Sequence, residues 1–368
     1  MLIPHQKPTP KIRDVFFGFC NYLIRRTSNF EYLRKYLPEE NYYWTSSGRN
    51  ALYWILKNEK IKIVYLPSFT CHVVLDSIKR NNCKIKFIDS EHLIDINNFK
   101  EMVNASERSE FASNYRRGRA ALVLPYNFGF MPDMDKIVNI CKENNIILIE
   151  DCAQALGSEY KGKLAGSFGD FAFFSFGISK NIGYGNGLIV SKNKLNINEK
   201  KKYPFRKTII NLVQAKFSWI FFNRFFYSIF YFILKNRLNI RQEQLNFKAS
   251  ELGKYIVMQQ AKRYAQILRL RKENAEYCMK KLKGTVDFIK PERNTNPSWL
   301  YFVIRDKNRD KLRLKLLKER IDVQPLLTFK DLGNGELSSK FEKEHLIFAL
   351  YRNKNEIKYI INKLKCKL

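Results

Sequence analysis

The chain has 368 residues, 45% of them hydrophobic, which is enough to bury a large core and excludes a chain that is disordered as a whole. Its 66 Lys and Arg residues outnumber its 35 Asp and Glu residues, which gives a formal net charge of +31 at pH 7. Such a charge predicts anionic partners, among them nucleotide-linked sugars, anionic lipids and nucleic acid.

Cysteine spacing and short motifs narrow these possibilities. The seven cysteines are odd in number and scattered, and no Cys-x-x-Cys pair occurs, which predicts neither a disulfide framework nor a metal site. Because no zinc-finger spacing, RNA-recognition signature or basic-zipper heptad accompanies the charge, we expect no nucleic-acid partner. The first residues lack the apolar core of a signal peptide, so we expect a cytoplasmic protein.

Residues 1–40 are basic and aromatic and are predicted to form an N-terminal arm. Large apolar side chains recur there on one face of a predicted helix. The residues of this face are Phe16, Phe17, Phe19, Tyr22 and Leu23. We expect the arm to pack on the body of the protein.

Strands and helices alternate from residue 45 to residue 192, which predicts a mostly parallel sheet with right-handed crossovers. One of the strands is expected at Ile61–Pro67. Before it, Ser47 and Gly48 precede a predicted helix at Arg49–Lys57. Small residues at a helix start leave backbone N–H groups that can hold a phosphate, although a simple helix cap is the ordinary alternative.

The stretch at the centre of the chain carries the chemistry. The apolar run Ile146–Ile149 predicts a buried parallel strand, and the carboxylates of Glu150 and Asp151 follow at its carboxyl end, where open α/β sheets place ligands. A second strand, Phe171–Phe176, precedes Lys180, which lies in a turn rich in Gly and Asn. Desolvation disfavours the ammonium form of a lysine held between apolar strands, and Schiff-base chemistry requires the neutral amine. A helix-capping acid and a solvated surface lysine remain the alternatives.

The spacing of these residues is more specific than their types. Asp151 and Gln154 are three positions apart, and Asp151 precedes Lys180 by 29 positions (180 − 151). Ser175 lies five positions before Lys180. The stretch resembles the cofactor core of the DegT/DnrJ/EryC1/StrS family of sugar aminotransferases, which are pyridoxal-phosphate enzymes of fold type I.

The resemblance implies a role for each of these four residues. Asp151 would pair with the pyridine nitrogen of pyridoxal 5'-phosphate, which keeps the ring able to accept electrons. Lys180 would form the Schiff base and then move the proton as general base and acid. Gln154 would lie near the phenolic oxygen of the cofactor, and Ser175 would bond its phosphate.

Three other segments resemble the family with substitutions. Gly48 and Arg49 stand where the family has a phosphate-binding Ser-Gly-Thr turn, and arginine can bind phosphate bidentately. Cys71 stands where the family has an aromatic residue stacked on the cofactor ring, so either Cys71 or the adjacent His72 would face the ring, unless both belong to the core. Asn246 aligns with an asparagine that reaches the partner's cofactor phosphate, which implies a homodimer with a shared active site, while a helix cap is the alternative.

The chain changes character after residue 190. Trp219–Leu234 contains 13 apolar or aromatic residues of 16 and one charged residue, Arg224. The run is shorter than the roughly 20 apolar residues of a spanning helix. Its aromatic content and its basic flanks are typical of an interfacial membrane helix, and a helix buried in the dimer or the core fits equally well. By resemblance it belongs to an insertion at about 205–238, and the first alternative predicts peripheral attachment to the inner face of the membrane.

The remainder predicts a small C-terminal α+β domain at 246–368, which begins with one long helix from Glu251 toward Leu282. A large cofactor-binding domain would occupy 41–245, so the expected fold class is α/β, with a mostly parallel central sheet flanked by helices.

Taken with the resemblance, these features predict a pyridoxal-phosphate-dependent aminotransferase. It would move an amino group, by family habit from glutamate, to a nucleotide-linked keto sugar for the synthesis of a cell-surface polysaccharide or glycoconjugate. One alternative is a basic, membrane-attached scaffold that has lost catalysis, which the residues at Arg49, Cys71 and Leu188 would permit. The other is a related sugar lyase, although dehydratases of this family lack the Schiff-base lysine and Lys180 is present.

Overall fold

A computed structural model supplies the fold of the chain. The residues that it describes are 2–6, 10–24, 30–108, 119–177, 179–199, 201–204, 206–208, 210, 212–213, 247–325 and 328–367. The helices are α1 (Ile12–Leu23), α2 (Glu31–Arg34), α3 (Gly48–Asn58), α4 (Val74–Arg80), α5 (Ile96–Arg108), α6 (Met134–Glu143), α7 (Glu251–Ala261), α8 (Tyr264–Leu282), α9 (Arg309–Lys318), α10 (Glu336–Glu344) and α11 (Lys354–Lys367). The strands are β1 (Asn41–Thr45), β2 (Ile61–Pro67), β3 (Phe69–Cys71), β4 (Lys84–Ile88), β5 (Arg119–Pro125), β6 (Ile147–Asp151), β7 (Glu159–Tyr160), β8 (Lys163–Leu164), β9 (Phe171–Ser175), β10 (Gly187–Ser191), β11 (Asp287–Phe288), β12 (Thr295–Asn296), β13 (Tyr301–Arg305), β14 (Phe329–Asp331) and β15 (His345–Ala349).

A seven-stranded sheet forms the centre of the molecule, in the order β1-β10-β9-β6-β5-β2-β4. β10 runs antiparallel to its neighbours β9 and β1. The neighbouring pairs from β9 to β4 are all parallel. The predicted mostly parallel α/β sheet is therefore confirmed, and the strand predicted at Ile61–Pro67 has those bounds.

Both faces of this sheet are buried. Leu148 of β6 belongs to the apolar cluster on one face, and the next residue, Ile149, belongs to the cluster on the other. Leu122 and Val123 of β5 divide in the same way. Continuous apolar runs of this kind are typical of parallel strands covered by helices on both sides. The sheet is thus a rigid support for the side chains at its strand ends.

A second, antiparallel sheet of β11, β13 and β15 lies in the C-terminal part of the chain. The rings of Phe302 and Phe348, on paired strands, lie 5.4 Å apart, and they share a core with apolar residues of α8, α9 and α11. β14 pairs with β3, and this pairing joins the C-terminal part of the chain to the segment that ends at Cys71. The domain boundaries placed near residues 40 and 245 remain predictions.

Helix α1 of the N-terminal arm packs on α7, and its aromatic face is exposed. The side chains of Phe16 and Leu23 are 60% and 61% exposed. α1 docks by its opposite face, where a Cβ on Gly18 would come within 2.5 Å of Ile256 in α7. Helical periodicity shows that a helix has an apolar face, but close approach at a glycine decides here which face meets the body.

The single long helix predicted from Glu251 toward Leu282 is wrong, because the structure has two helices there. α7 ends at Ala261, and α8 begins at Tyr264. Arg263, at the junction, makes a buried ion pair with Asp14 of α1, with Nη2 2.5 Å from Oδ2. A tertiary contact therefore fixes the break.

Two predicted features, Trp219–Leu234 and Asn246, lie outside the described residues. Within the part of the chain that the structure describes, none of the helices is both long enough and apolar enough to cross a bilayer.

Candidate active site

A cavity of about 860 Å³ opens at the carboxyl ends of the parallel strands, where α/β sheets hold ligands. Its walls come from the ends of β6 and β9, the start of α3, the turn between β9 and β10, and the β3 edge. It brings together seven of the sequence-predicted site residues, which are Gly48, Arg49, Cys71, Asp151, Gln154, Ser175 and Lys180. The eighth, Asn246, is outside the described residues.

Asp151 is the last residue of β6, and its side chain enters the cavity. It is 7% exposed, and its Oδ1 accepts a hydrogen bond from the backbone N–H of Ala153 at 3.0 Å. Burial raises the pKa of this carboxyl to about 6, against the opposing effect of the Lys180 charge. A cation placed beside Asp151 would therefore stabilise a carboxylate that burial has deprived of water.

The neighbouring Glu150 has a structural role instead, because successive strand residues face opposite sides of a sheet. Its carboxylate accepts hydrogen bonds from the hydroxyl of Tyr126 at 2.6 Å and from the backbone N–H of Gly166 at 2.7 Å. The N–H groups of Phe168 and Gly169 donate to its other oxygen at 2.8 and 2.6 Å. The two carboxylates at the end of β6 are thus divided between the chemistry of the cavity and the support of the sheet.

Lys180 lies in the turn between β9 and β10, and its backbone N–H donates to the carbonyl of Gly177 at 2.9 Å. The side-chain amide of Asn181 donates to the carbonyl of Leu156 at 3.2 Å. From the C-terminal part of the chain, the hydroxyl of Tyr301 donates to the carbonyl of Ser179 at 3.3 Å. The lysine turn is therefore held from both sides.

The start of α3 lies directly against Ser175. Ser47 caps the helix by accepting from the N–H of Asn50 at 3.2 Å. A Cβ on Gly48 would come within 3.0 Å of the Ser175 Cβ, so glycine is what permits this approach. The first N–H groups of a helix have no partner inside the helix and carry partial positive charge, so this junction suits an anion.

Arg49 follows on the same turn and also lines the cavity. Its Nη1 lies 3.4 Å from Oδ2 of Asp76 in α4, and its backbone carbonyl accepts from the hydroxyl of Ser77 at 2.7 Å. The helix α4 therefore orients this guanidinium, and an anion in the cavity would share it with Asp76.

Cys71 and His72 are the two candidates for the residue that faces the cofactor ring, and both line the cavity. Burial raises the pKa of the Cys71 thiol, and the charges of Lys180 and Asp151 act on it in opposite directions. The Nδ1 of His72 lies 2.9 Å from the carbonyl oxygen of Thr328, which ties its ring to the C-terminal segment. Cys71 is a small apolar side chain, and it lies close enough to Lys180 and Asp151 for both charges to act on it.

Gln154 is buried beside the 3₁₀ turn that follows β5. Its Oε1 accepts from the backbone N–H of Phe128 at 2.6 Å. Its backbone carbonyl accepts from the side chains of Asn181 and Ser298, at 3.3 and 3.0 Å. The residue thereby links the lysine turn to the C-terminal part, and its acceptor oxygen is turned to the backbone.

Several residues of the cavity wall were missed by sequence reasoning. His5 lines it, and its Nδ1 lies 2.8 Å from the carboxylate of Asp322. The strand-like contact between Ile3 and Ile321 brings that N-terminal segment to the site. No local motif signals a contact between residues 317 positions apart. The other missed wall residues include Gln6, Tyr203, Pro325, Thr328 and Lys330.

A model of the DegT/DnrJ/EryC1/StrS aminotransferase family matches residues 24–331. GDP-perosamine synthase of Escherichia coli O157:H7 is 34% identical over 130 residues, which are 35% of this chain and 33% of that enzyme. The match spans about a third of the length of each of the first curated relatives.

Solved structures resemble the whole chain. An aminotransferase of the same family from Brucella abortus has a TM-score of 0.75 at 16% identity, and the match covers 96% of this chain and 95% of that one. Escherichia coli GDP-4-keto-6-deoxy-D-mannose-3-dehydratase, solved with bound hydrated PLP, has a TM-score of 0.71 at 18% identity, with 99% and 100% covered. At such identities the likeness shows the fold alone, and it confirms the predicted fold type I architecture.

Proposed function

Because the chain belongs to the DegT/DnrJ/EryC1/StrS aminotransferase family, we propose that it is a pyridoxal-phosphate-dependent aminotransferase that acts on a nucleotide-linked keto sugar. One observation carries the proposal: Lys180, Asp151 and the Gly48–Ser175 junction line one cavity at the carboxyl ends of β6 and β9. These are an amine, a buried carboxylate and an anion cradle, the three features that this cofactor requires.

The residues present fit the cofactor. Its phosphate would lie at the start of α3, where the absence of a side chain at Gly48 leaves backbone N–H groups beside the Ser175 hydroxyl. Arg49 would add a guanidinium to the same phosphate while keeping its contact with Asp76. A Cβ at position 48 would fill the cradle, which is a specific reason for glycine at that position.

Asp151 would receive the protonated ring nitrogen. An acid whose pKa is raised to about 6 by burial gains more from a cationic partner than an already well-bonded carboxylate would. Bound pyridoxal phosphate supplies an electron sink for the carbon from which a proton is removed. Asp151 would keep the ring charge in place while that proton moves.

Lys180 would attach the cofactor and then carry the proton between carbon atoms as general base and acid. The backbone of its turn is braced through Tyr301 on one side and Asn181 on the other, and Lys180 itself lines the cavity. Gln154 would present its amide NH₂ to the phenolic oxygen, because its carbonyl oxygen is already bonded to Phe128. Cys71 would pack against the ring face in place of a stacked aromatic residue.

The substrate class follows from charge and family together. A net charge of +31 favours a substrate with a nucleoside diphosphate group, and glutamate is the expected amino donor. The product would serve the synthesis of a cell-surface polysaccharide or glycoconjugate. The dehydratase among the similar structures shows only the fold at 18% identity, and Lys180 favours amino transfer over dehydration.

The proposed assembly is a homodimer in which Asn246 of each chain completes the phosphate site of the other. We place the protein in the cytoplasm. The aromatic run Trp219–Leu234 would contact the inner face of the membrane, as its composition suggests.

The test is the visible absorption band of the purified protein after incubation with pyridoxal phosphate. We expect Lys180→Ala to abolish the band of the covalently held cofactor, and we expect the control Lys194→Ala, at an exposed lysine, to keep it. A screen of nucleotide keto sugars with glutamate, read by the release of 2-oxoglutarate, identifies the substrate. A wild-type protein without the band, or a Lys180→Ala protein that retains it, contradicts the proposal.

A further inference from the structure

Exposed apolar side chains are concentrated on one helix. Of the twelve large hydrophobic residues that are exposed in the described part of the chain, seven lie between residues 12 and 24. Scattered exposed hydrophobics are normal, whereas a contiguous patch marks a contact surface. The seven are Ile12, Phe16, Phe17, Phe19, Tyr22, Leu23 and Ile24.

The patch is rigidly presented. Ile12, Phe16, Phe19 and Leu23 recur at intervals of four, three and four residues, which places them on one stripe of α1. Their exposed fractions are 49%, 60%, 41% and 61%. The opposite face is fastened to α7, where Gly18 allows the two helices to touch. The apolar stripe is therefore fixed on the outside of the molecule.

The surface continues beyond α1. Val15 of α1 and Leu212 pack against one small cluster of buried residues that includes Ile256. Beside Leu212, the side chains of Ile210 and Val213 are 44% and 47% exposed. Ile210 and Val213 therefore add exposed apolar side chains next to the cluster on which α1 packs.

The charge around the stripe is positive. The acid of α1, Asp14, is buried, and its carboxylate is paired with Arg263. Lys11 and Arg13 are exposed, the side chain of Arg13 by 62%. An anionic bilayer complements these exposed cations and the net charge of +31.

We propose that α1 is a membrane-docking helix, whose stripe of Ile12, Phe16, Phe19 and Leu23 enters the interface of an anionic bilayer. An apolar helix face flanked by cations binds in the plane of such an interface, because apolar burial and attraction to anionic headgroups add. The inference rests on α1 and its neighbours and on none of the catalytic assignments.

The test is co-sedimentation of the full chain, loaded with pyridoxal phosphate, with vesicles. Mixed phosphatidylcholine and phosphatidylglycerol vesicles should bind it, and pure phosphatidylcholine vesicles should bind it far less. The double variant F16E/L23E should bind the mixed vesicles at least about 100-fold more weakly, which corresponds to about 2.8 kcal/mol. The matched control is Leu314→Glu, at a side chain of α9 that is 57% exposed, and it should bind like the wild type.

The cofactor band and the thermal midpoint of each variant report that it is folded, so a loss of lipid binding is separated from a loss of structure. The proposal is overturned if the wild type does not bind the mixed vesicles, or if F16E/L23E binds them as well as the wild type does. It is also overturned if light scattering shows that F16E/L23E turns a dimer into monomers, because a second copy would then cover this face.

Discussion

Asp151→Asn should stabilise the cofactor-free protein near neutral pH while it removes transamination. Burial raises the pKa of Asp151 from 3.8 to about 6, so the folded state holds its proton more tightly than the unfolded state does. Each step of one in pKa corresponds to about 1.4 kcal/mol. Ionising this carboxyl in the cofactor-free protein therefore costs up to about 3 kcal/mol, from a rise of about 2.2 in pKa.

The sign of the pH dependence follows from proton linkage. Between pH 4 and pH 6 the folded state binds more protons at Asp151 than the unfolded state, so its contribution to stability falls as pH rises, and it levels off above pH 6. The amide of the variant cannot ionise. Asp151→Asn should thus gain about 3 kcal/mol over the wild type at pH 7.5 and about 1 kcal/mol at pH 4.5.

The assay is urea denaturation of the cofactor-free proteins at both pH values, with Asp310→Asn as the control, because Asp310 has a side chain that is 72% exposed. In the loaded enzyme the same variant should lower transamination at least about 100-fold, since the loss of one partner of a buried ion pair costs about 3 kcal/mol or more. A variant that is less stable than the wild type at pH 7.5, or a gain equal at both pH values, would refute the assignment of a desolvated, ionised Asp151.

Two further substitutions separate the cofactor cradle from the support of the sheet. Gly48→Ala should weaken cofactor binding by about tenfold, since overpacking a tight site typically costs about 1–3 kcal/mol. The control is Lys57→Ala, at an exposed residue near the other end of α3, and equal affinities of the two variants in a cofactor titration would contradict the cradle. Glu150→Gln should destabilise the fold by about 2–4 kcal/mol, because an amide nitrogen then faces donors that a carboxylate oxygen had satisfied, each unmatched donor costing about 1–3 kcal/mol. Urea denaturation against Glu143→Gln, at an exposed residue, measures this loss, and a lost cofactor band in the folded variant would show that Glu150 belongs to the site after all.

Local patterns predicted the parts of the site that lie along continuous stretches of chain. Asp151 ends β6, and Ser175 ends the adjacent parallel strand β9, with Lys180 in the turn that follows. The ends of adjacent parallel strands lie close together, so the local pattern predicted these neighbours. His5 could not be predicted in this way, because its contact with Asp322 depends on the chain closing over 317 positions. The wrong expectation of one long helix has a similar cause, because the break between α7 and α8 lies at Arg263, whose ion pair with Asp14 is a tertiary contact. The face by which α1 docks also depends on a tertiary contact, the close approach of Gly18 to Ile256.

The site belongs to neither sheet alone. The central sheet supplies Asp151, but the turn that holds Lys180 is braced by Tyr301 of the C-terminal sheet. Ser298, just before that strand, donates to the backbone of Gln154 at 3.0 Å. Both contacts reach the site from the C-terminal part of the chain, so a pattern confined to residues 146–190 does not encode them.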